Sequence, residues 1–173
     1  MEEQFFNRDA ETVACELLGK VLVRKINGKE RKARIVETEA YYGNKDPASR
    51  ACQNGDLRKT MLMKPGTILV YGVHNSWLVN FVTGTEGKAE AVLLRAAEPL
   101  NFEGSCKGPG LLTRTLQVDK RFHKQDVINN KEFKVAEGKG NFEIVKSFRI
   151  GVKKDLQKPL RFYIKDNKWV SKK

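Results

Sequence analysis

The chain has 173 residues, 40% hydrophobic and 31% charged, the composition of one soluble domain with a sizeable core. No apolar run approaches the ~20 residues of a membrane span, and the acidic start Met1-Glu2-Glu3-Gln4 lacks the core of a secretory leader. Cys15, Cys52 and Cys106 are odd in number and widely spaced, which excludes a disulfide framework and suits a reducing compartment.

Charge is strongly uneven. The net +12 comes from 33 basic and 21 acidic residues. Residues 1–103 carry 15 basic and 14 acidic side chains, whereas residues 104–173 carry 18 and 7. A basic surface of that size attracts phosphate backbones or anionic membranes. Without a basic amphipathic helix or a lipidation signal, nucleic acid is favoured over membrane. A lysine-rich proteome would give the same bias.

In chain order, Asp9 to Leu18 reads as a helix capped by Asp9 and stopped by Gly19, with Val13, Ala14, Leu17 and Leu18 as its apolar stripe. A strand at Val21 to Ile26 turns at Asn27-Gly28, a favoured two-residue hairpin. It leads into Ala33-Arg34-Ile35-Val36-Glu37-Thr38-Glu39-Ala40-Tyr41-Tyr42, whose β-branched and aromatic residues favour a strand. Alternation places Ile35, Glu37, Glu39 and Tyr41 on one face. Two carboxylates and a ring on one strand face suit water activation beside a flat ligand, or else a solvated edge.

Residues 43–60 read as a polar loop, at this length either mobile or functional. Strands at Ile68 to Tyr71, Trp77 to Thr83 and Ala91 to Ala97 make an antiparallel meander. Gly108-Pro109-Gly110 opens a short helix to Leu116, either as a phosphate cradle or as an ordinary helix start. Residues 120–147 are basic and weakly patterned, with turns at Asn129-Asn130 and Gly138-Lys139-Gly140. Strands are expected at Phe142 to Val145, Phe148 to Val152 and Leu160 to Ile164.

His74 and His123 are the only histidines, lie far apart, and share no ligand spacing with the cysteines, so no metal site is expected. There is no P-loop, dinucleotide fingerprint, Gly-x-Ser-x-Gly elbow or Cys-x-x-Cys. Carboxylates, aromatics and a basic surface remain, a set suited to hydrolysis at a nucleotide.

The stretch Arg34 to Tyr41 resembles the signature of the alkyladenine (3-methyladenine) DNA glycosylase family. Further matches follow in that family's order: Met63 to Thr67, Val92 to Pro99, Gly108 to Gly110, Leu160 to Ile164, and the closing Trp169-Val170-Ser171. They span the chain from about Phe5 to Ser171. The resemblance implies a single mixed α/β (α+β) domain over residues 1–173, a curved antiparallel sheet flanked by helices with a protruding β-hairpin. It implies binding to double-stranded DNA carrying damaged purines, without cofactor or metal. It also implies base-excision repair by base flipping, with cleavage of the N-glycosidic bond of an alkylated purine. A monomer is the expectation for a chain of this size, with no membrane or obligate protein partner, and no lysine is placed to form an imine, so no lyase step is expected. Such a protein would be cytoplasmic and nucleoid-associated in a prokaryote, or nuclear in a eukaryote.

By the same resemblance Glu39 activates water, Arg95 supports it, Tyr41 stacks on the flipped base, and Asn80 excludes amino-bearing normal bases. Glu37 becomes a supporting carboxylate. The hairpin Val70 to Asn80 departs from the family pattern, and two alignments remain. Tyr71 is the intercalating wedge, or it is a base-stacking ring and His74-Asn75 replaces the wedge. Arg50 stands where a histidine usually contacts the base, and Leu111 where a lysine is common. Arginine offers no acceptor and repels a cationic base, which puts lesion preference in question unless Arg50 turns toward phosphate. Competing readings are a non-catalytic nucleic-acid-binding domain of the same fold and a metal-dependent nuclease built on Glu37 and Glu39.

Overall fold

The structure, a computed structural model, describes residues 1–172. Its elements in chain order are helices α1 (Glu3–Phe6) and α2 (Ala10–Leu17), strands β1 (Val21–Ile26) and β2 (Lys29–Tyr41), helix α3 (Asp56–Met61), strands β3 (Ile68–Val73), β4 (Ser76–Val82) and β5 (Ala91–Pro99), helix α4 (Pro109–Thr115), and strands β6 (Phe133–Ala136), β7 (Ile144–Ser147) and β8 (Arg161–Ile164). The strands form one antiparallel sheet in the order β3-β4-β5-β2-β1-β6, with β8 joining β2 to β7. This is the expected mixed α/β domain, a curled antiparallel sheet flanked by a few helices.

β2 is the spine because its thirteen residues take partners along both edges. β5 runs along one edge from Ala33 to Tyr41. On the other edge β1 pairs as far as Arg34, and β8 takes over at Glu37 to Glu39. The stretch Ile35 to Ala40 is therefore flanked on both sides and buried throughout. Glu37 and Glu39 are 0% exposed, which rules out the solvated-edge alternative.

The expected alternation fails at one point. The β2–β5 register shifts between Ile35 and Glu37, and again between Glu37 and Thr38. A bulge inserts an extra residue into a strand and lets neighbours turn to the same side. Ile35 and Val36 consequently both pack into the main core, so Ile35 does not share the face of Glu37, Glu39 and Tyr41.

One face of the sheet carries that core. Phe6, Val13 and Leu17 of the N-terminal helices pack there with Val36, Phe81, Leu94, Phe133 and Phe162. α2 begins at Asp9, whose carboxylate accepts from the Glu11 N–H at 2.9 Å, as its sequence predicts. The opposite face carries a smaller cluster of Ala51, Met61, Leu69, Val82 and Ala91, against which Tyr71 packs.

Several local expectations need correction. Residues 43–60 are not one loop, because they hold a 3-10 turn at Arg50–Cys52 and the helix α3. Phe148 to Val152 is not a strand: the Ile150 N–H is spent on the Glu39 carboxylate rather than on a ladder, and buried Arg149 donates to Asp46. α1 and β6 were too short and too weakly patterned to expect. Pro109 sits in the first turn of α4, and a Cβ on Gly110 would lie 2.8 Å from the Ser76 Oγ. Gly110 is thus explained by close packing of α4 on the β3–β4 hairpin.

Candidate active site

The site lies where β2, β5 and the β3–β4 hairpin meet the segments 47–53 and 150–154. A cavity of about 610 Å³ opens there, within the range of small-ligand sites. Tyr41, Arg50, Tyr71, Arg95, Lys153 and Lys154 are among its walls.

Glu39 sits behind that wall, held by three residues that form it. Its Oε1 accepts from the Ile150 backbone N–H at 2.8 Å and pairs with the Arg95 Nη1 at 3.3 Å. Its Oε2 accepts from the Tyr41 hydroxyl at 2.8 Å. Burial pushes the Glu39 carboxyl above the ordinary glutamate value, while Arg95, the Ile150 N–H and Tyr41 pull it back. The Ile150 N–H and Arg95 can only donate, and the Tyr41 hydroxyl can donate as well, so the arrangement suits a carboxylate anion.

Glu37 lies two residues away and is closed off. Its Oε1 accepts from Arg161 at 2.8 Å and from the Arg95 Nε at 3.2 Å, and its Oε2 from the Ser171 N–H at 2.7 Å. Arg95 therefore bridges both glutamates. A divalent cation at this pair would have to displace two guanidinium groups, so the donor set does not suit the nuclease reading.

Tyr41 and Tyr71 face a common recess, lined also by Asn80, Arg50 and Met61. Burial raises both phenols, so each stays neutral; beside Tyr41 the Glu39 charge adds to the effect. The Asn80 amide donates to the Leu69 carbonyl at 3.2 Å and is 2% exposed. Arg50 lies with its guanidinium carbon 4.8 Å from the Tyr71 ring centroid. His74 and Asn75 form the exposed hairpin tip between Val73 and Ser76, both at positive φ (46° and 59°). That is the geometry of a tight two-residue turn, here made without glycine. Tyr71 thus lines the recess while His74 marks the hairpin tip.

One residue went unnoticed in the sequence. Arg149 is fully buried and binds Asp46 through both terminal nitrogens at 2.7 Å. It also donates to the Ala40 carbonyl at 2.9 Å, binds Asp155 through Nε at 3.0 Å, and stacks 4.5 Å from the Tyr41 centroid. It ties the 43–50 segment, the 149–155 segment and β2 together, and places the Ile150 N–H on Glu39. The one signal was a lone cation in the otherwise apolar run Phe148 to Val152.

The model of the methylpurine-DNA glycosylase family matches residues 4–168. The chain belongs to this family. A protein of Aeropyrum pernix with the name "Putative 3-methyladenine DNA glycosylase" is 39% identical over 99% of this chain and 93% of its own length. Proteins of the same name from Borrelia garinii subsp. bavariensis and Legionella pneumophila (strain Lens) are 40% and 39% identical, over 100% and 97% of this chain and 100% and 96% of their own lengths. This methylpurine-DNA glycosylase is accordingly a hydrolase of N-glycosyl bonds acting on DNA. Its basic C-terminal seventy residues place Lys153 and Lys154 on the cavity wall.

Proposed function

We propose that the protein excises damaged purines flipped out of duplex DNA, using water activated by Glu39. The observation that carries this reading is Glu39 itself, a carboxylate held by three partners behind a cavity that Tyr41 and Tyr71 both line. In this reading the base enters between Tyr41 and Tyr71, where flat rings favour stacking. Water beside Glu39 attacks C1′ of the sugar, and the carboxylate takes its proton. The C1′–N9 electron pair leaves with the base, through an oxocarbenium-like state that the Glu39 charge stabilises. Arg95 keeps Glu39 ionised, and Asn80 at the floor of the recess tests the edge of the base. Lys153 and Lys154 meet the phosphates of the strand. A base already cationic through 3- or 7-methylation departs without acid assistance.

The test is single-turnover excision, in EDTA, from duplexes carrying 3-methyladenine, 7-methylguanine, hypoxanthine or ethenoadenine. The wild type should generate abasic sites that break only on alkali treatment. Glu39→Gln should lower the rate by about 10³-fold, the scale of a general base. Persisting excision in Glu39→Gln would remove Glu39 from this role. Wild-type protein that binds DNA yet excises nothing would turn the reading into a binding domain of the same fold.

A further inference from the structure

We infer that Arg50 selects among damaged bases by reading the O6/N7 acceptor edge of a 6-oxopurine, and that it stabilises that base as it leaves. This rests on the reading of the cavity as the seat of the flipped base. Three observations carry it.

First, the Arg50 guanidinium occupies the stacking slot. It lies over Tyr71, and the recess between Tyr71 and Tyr41 then holds only about 10 Å³, about one water. A purine that stacks on that face of Tyr71 must displace the guanidinium, which can then move to the rim of the incoming base. Second, the turn that carries Arg50 is anchored. Asp46 accepts from Tyr42 N at 3.0 Å and Ala48 N at 3.1 Å and is clamped by Arg149, and the Ser49 Oγ accepts from Ala51 N at 3.1 Å. The side chain itself is held only by neutral Tyr71, a weaker tie than an ion pair, so an incoming base can take its place. Third, among the described residues Arg50 makes no salt bridge. Its charge is uncommitted beside the cavity, whereas Arg95, Arg149 and Arg161 all hold carboxylates.

Such a cation treats lesions unequally. A guanidinium fork matches two adjacent acceptors such as O6 and N7 of a 6-oxopurine. Hypoxanthine offers both, and 7-methylguanine has lost N7 as an acceptor and carries a positive charge. When neutral hypoxanthine leaves, the electron pair of the C1′–N9 bond puts negative charge on the purine, and Arg50 at O6/N7 meets that charge as it develops. Solvent then protonates the released base. A 3- or 7-methylated base departs neutral, gains nothing from the guanidinium, and is repelled by it beforehand.

The experiment compares wild type, Arg50→Ala and Arg50→His on duplexes carrying hypoxanthine or 7-methylguanine, with Glu39→Gln as the control. Arg50→Ala should slow hypoxanthine excision by about 100-fold, the scale of removing one charge-stabilising donor. It should speed 7-methylguanine excision by about tenfold, as a like charge leaves a partly solvated site. Arg50→His should fall between the two. Parallel changes on both lesions would overturn the inference while leaving the Glu39 reading intact, provided that Glu39→Gln stays inactive. Should the variants fail to fold, wild-type protein alone decides by its ratio of the two rates. Preference for 7-methylguanine as large as the ratio of the two bases' uncatalysed rates, or larger, would overturn the inference, as would a wild type inactive on both lesions.

Discussion

Glu37 and Glu39 are the same residue type, two positions apart on one strand, both fully buried and both touching Arg95. Their surroundings differ in what lies beyond. Glu37 faces β8 and the C-terminal segment, where Arg161 and the Ser171 N–H close around it. Glu39 faces the cavity through Tyr41, Arg95 and Ile150. For Glu37 the donors join strands and hold the fold. For Glu39 they hold a carboxylate directly behind the cavity wall. The difference comes from the partner beyond each carboxylate, not from the carboxylate or its burial.

Paired substitutions should separate the two roles most sharply. Glu39→Gln keeps the geometry: its amide oxygen can still accept from Ile150 and Arg95, and its amino group can donate to the Tyr41 oxygen. The variant should fold and lose activity by the ~10³-fold of a missing base. It should also melt at a higher temperature than the wild type at neutral pH. Burial holds the folded-state pKa of Glu39 above its unfolded value, so the folded chain binds that proton more tightly. Stability linked to this group is then present at low pH and lost as pH rises through the raised pKa, and the neutral amide avoids the loss. Glu37→Gln should do the reverse. Leaving Arg161 without its carboxylate should cost about 3–5 kcal/mol, read as a lower denaturation midpoint, while the surviving folded fraction still excises. A Glu37→Gln protein that is stable but inactive would break the contrast.

The pH profile sharpens the same contrast at a smaller scale. In the proposed mechanism Glu39 acts as the anion, so kcat/KM should fall as pH drops through its pKa. Because burial raises that pKa, the acid limb should lie above the ordinary glutamate value. Tyr41→Phe keeps a ring in the slot and removes one donor to the anion. It should move the limb upward by about one pH unit, the worth of a hydrogen bond to a charged group. An unmoved limb would mean that another group titrates in the profile.

Much of this was legible in the sequence. The meander, α2 with its Asp9 cap and the Asn27-Gly28 hairpin follow from local propensity, and the structure places them as read. The membership of Glu39, Tyr41, Arg95 and Asn80 in one neighbourhood was carried by motif resemblance, because β2, β4 and β5 are distant in the chain and register cannot be read from propensity. Three features escaped for physical reasons. The bulge near Val36 overrides the period of two, and only cross-strand pairing reveals it. The position of Arg50 over Tyr71 depends on how a twenty-residue segment folds back, which composition does not encode. Arg149 is polar in an apolar run, and its partners Asp46 and Ala40 lie over a hundred residues earlier.

The hairpin tip offers the smallest effect and the finest test. The β3–β4 turn is built from His74 and Asn75, exposed and at positive φ, with no large ring at the apex. If His74 fills the gap left in the stack when a base flips, its stacking area offsets part of an unstacking cost of about a few kcal/mol. Measured with the inactive Glu39→Gln protein, His74→Ala should weaken binding to a hypoxanthine duplex by about threefold to tenfold. His74→Tyr, with a larger ring on the same turn, should tighten it. The effect should shrink when the lesion lies in single-stranded DNA, because no stacked neighbour then has to be replaced. A loss of equal size on duplex and single strand would instead assign His74 to backbone contact, and leave the flipped base to be held by Tyr41, Tyr71 and Arg50 alone.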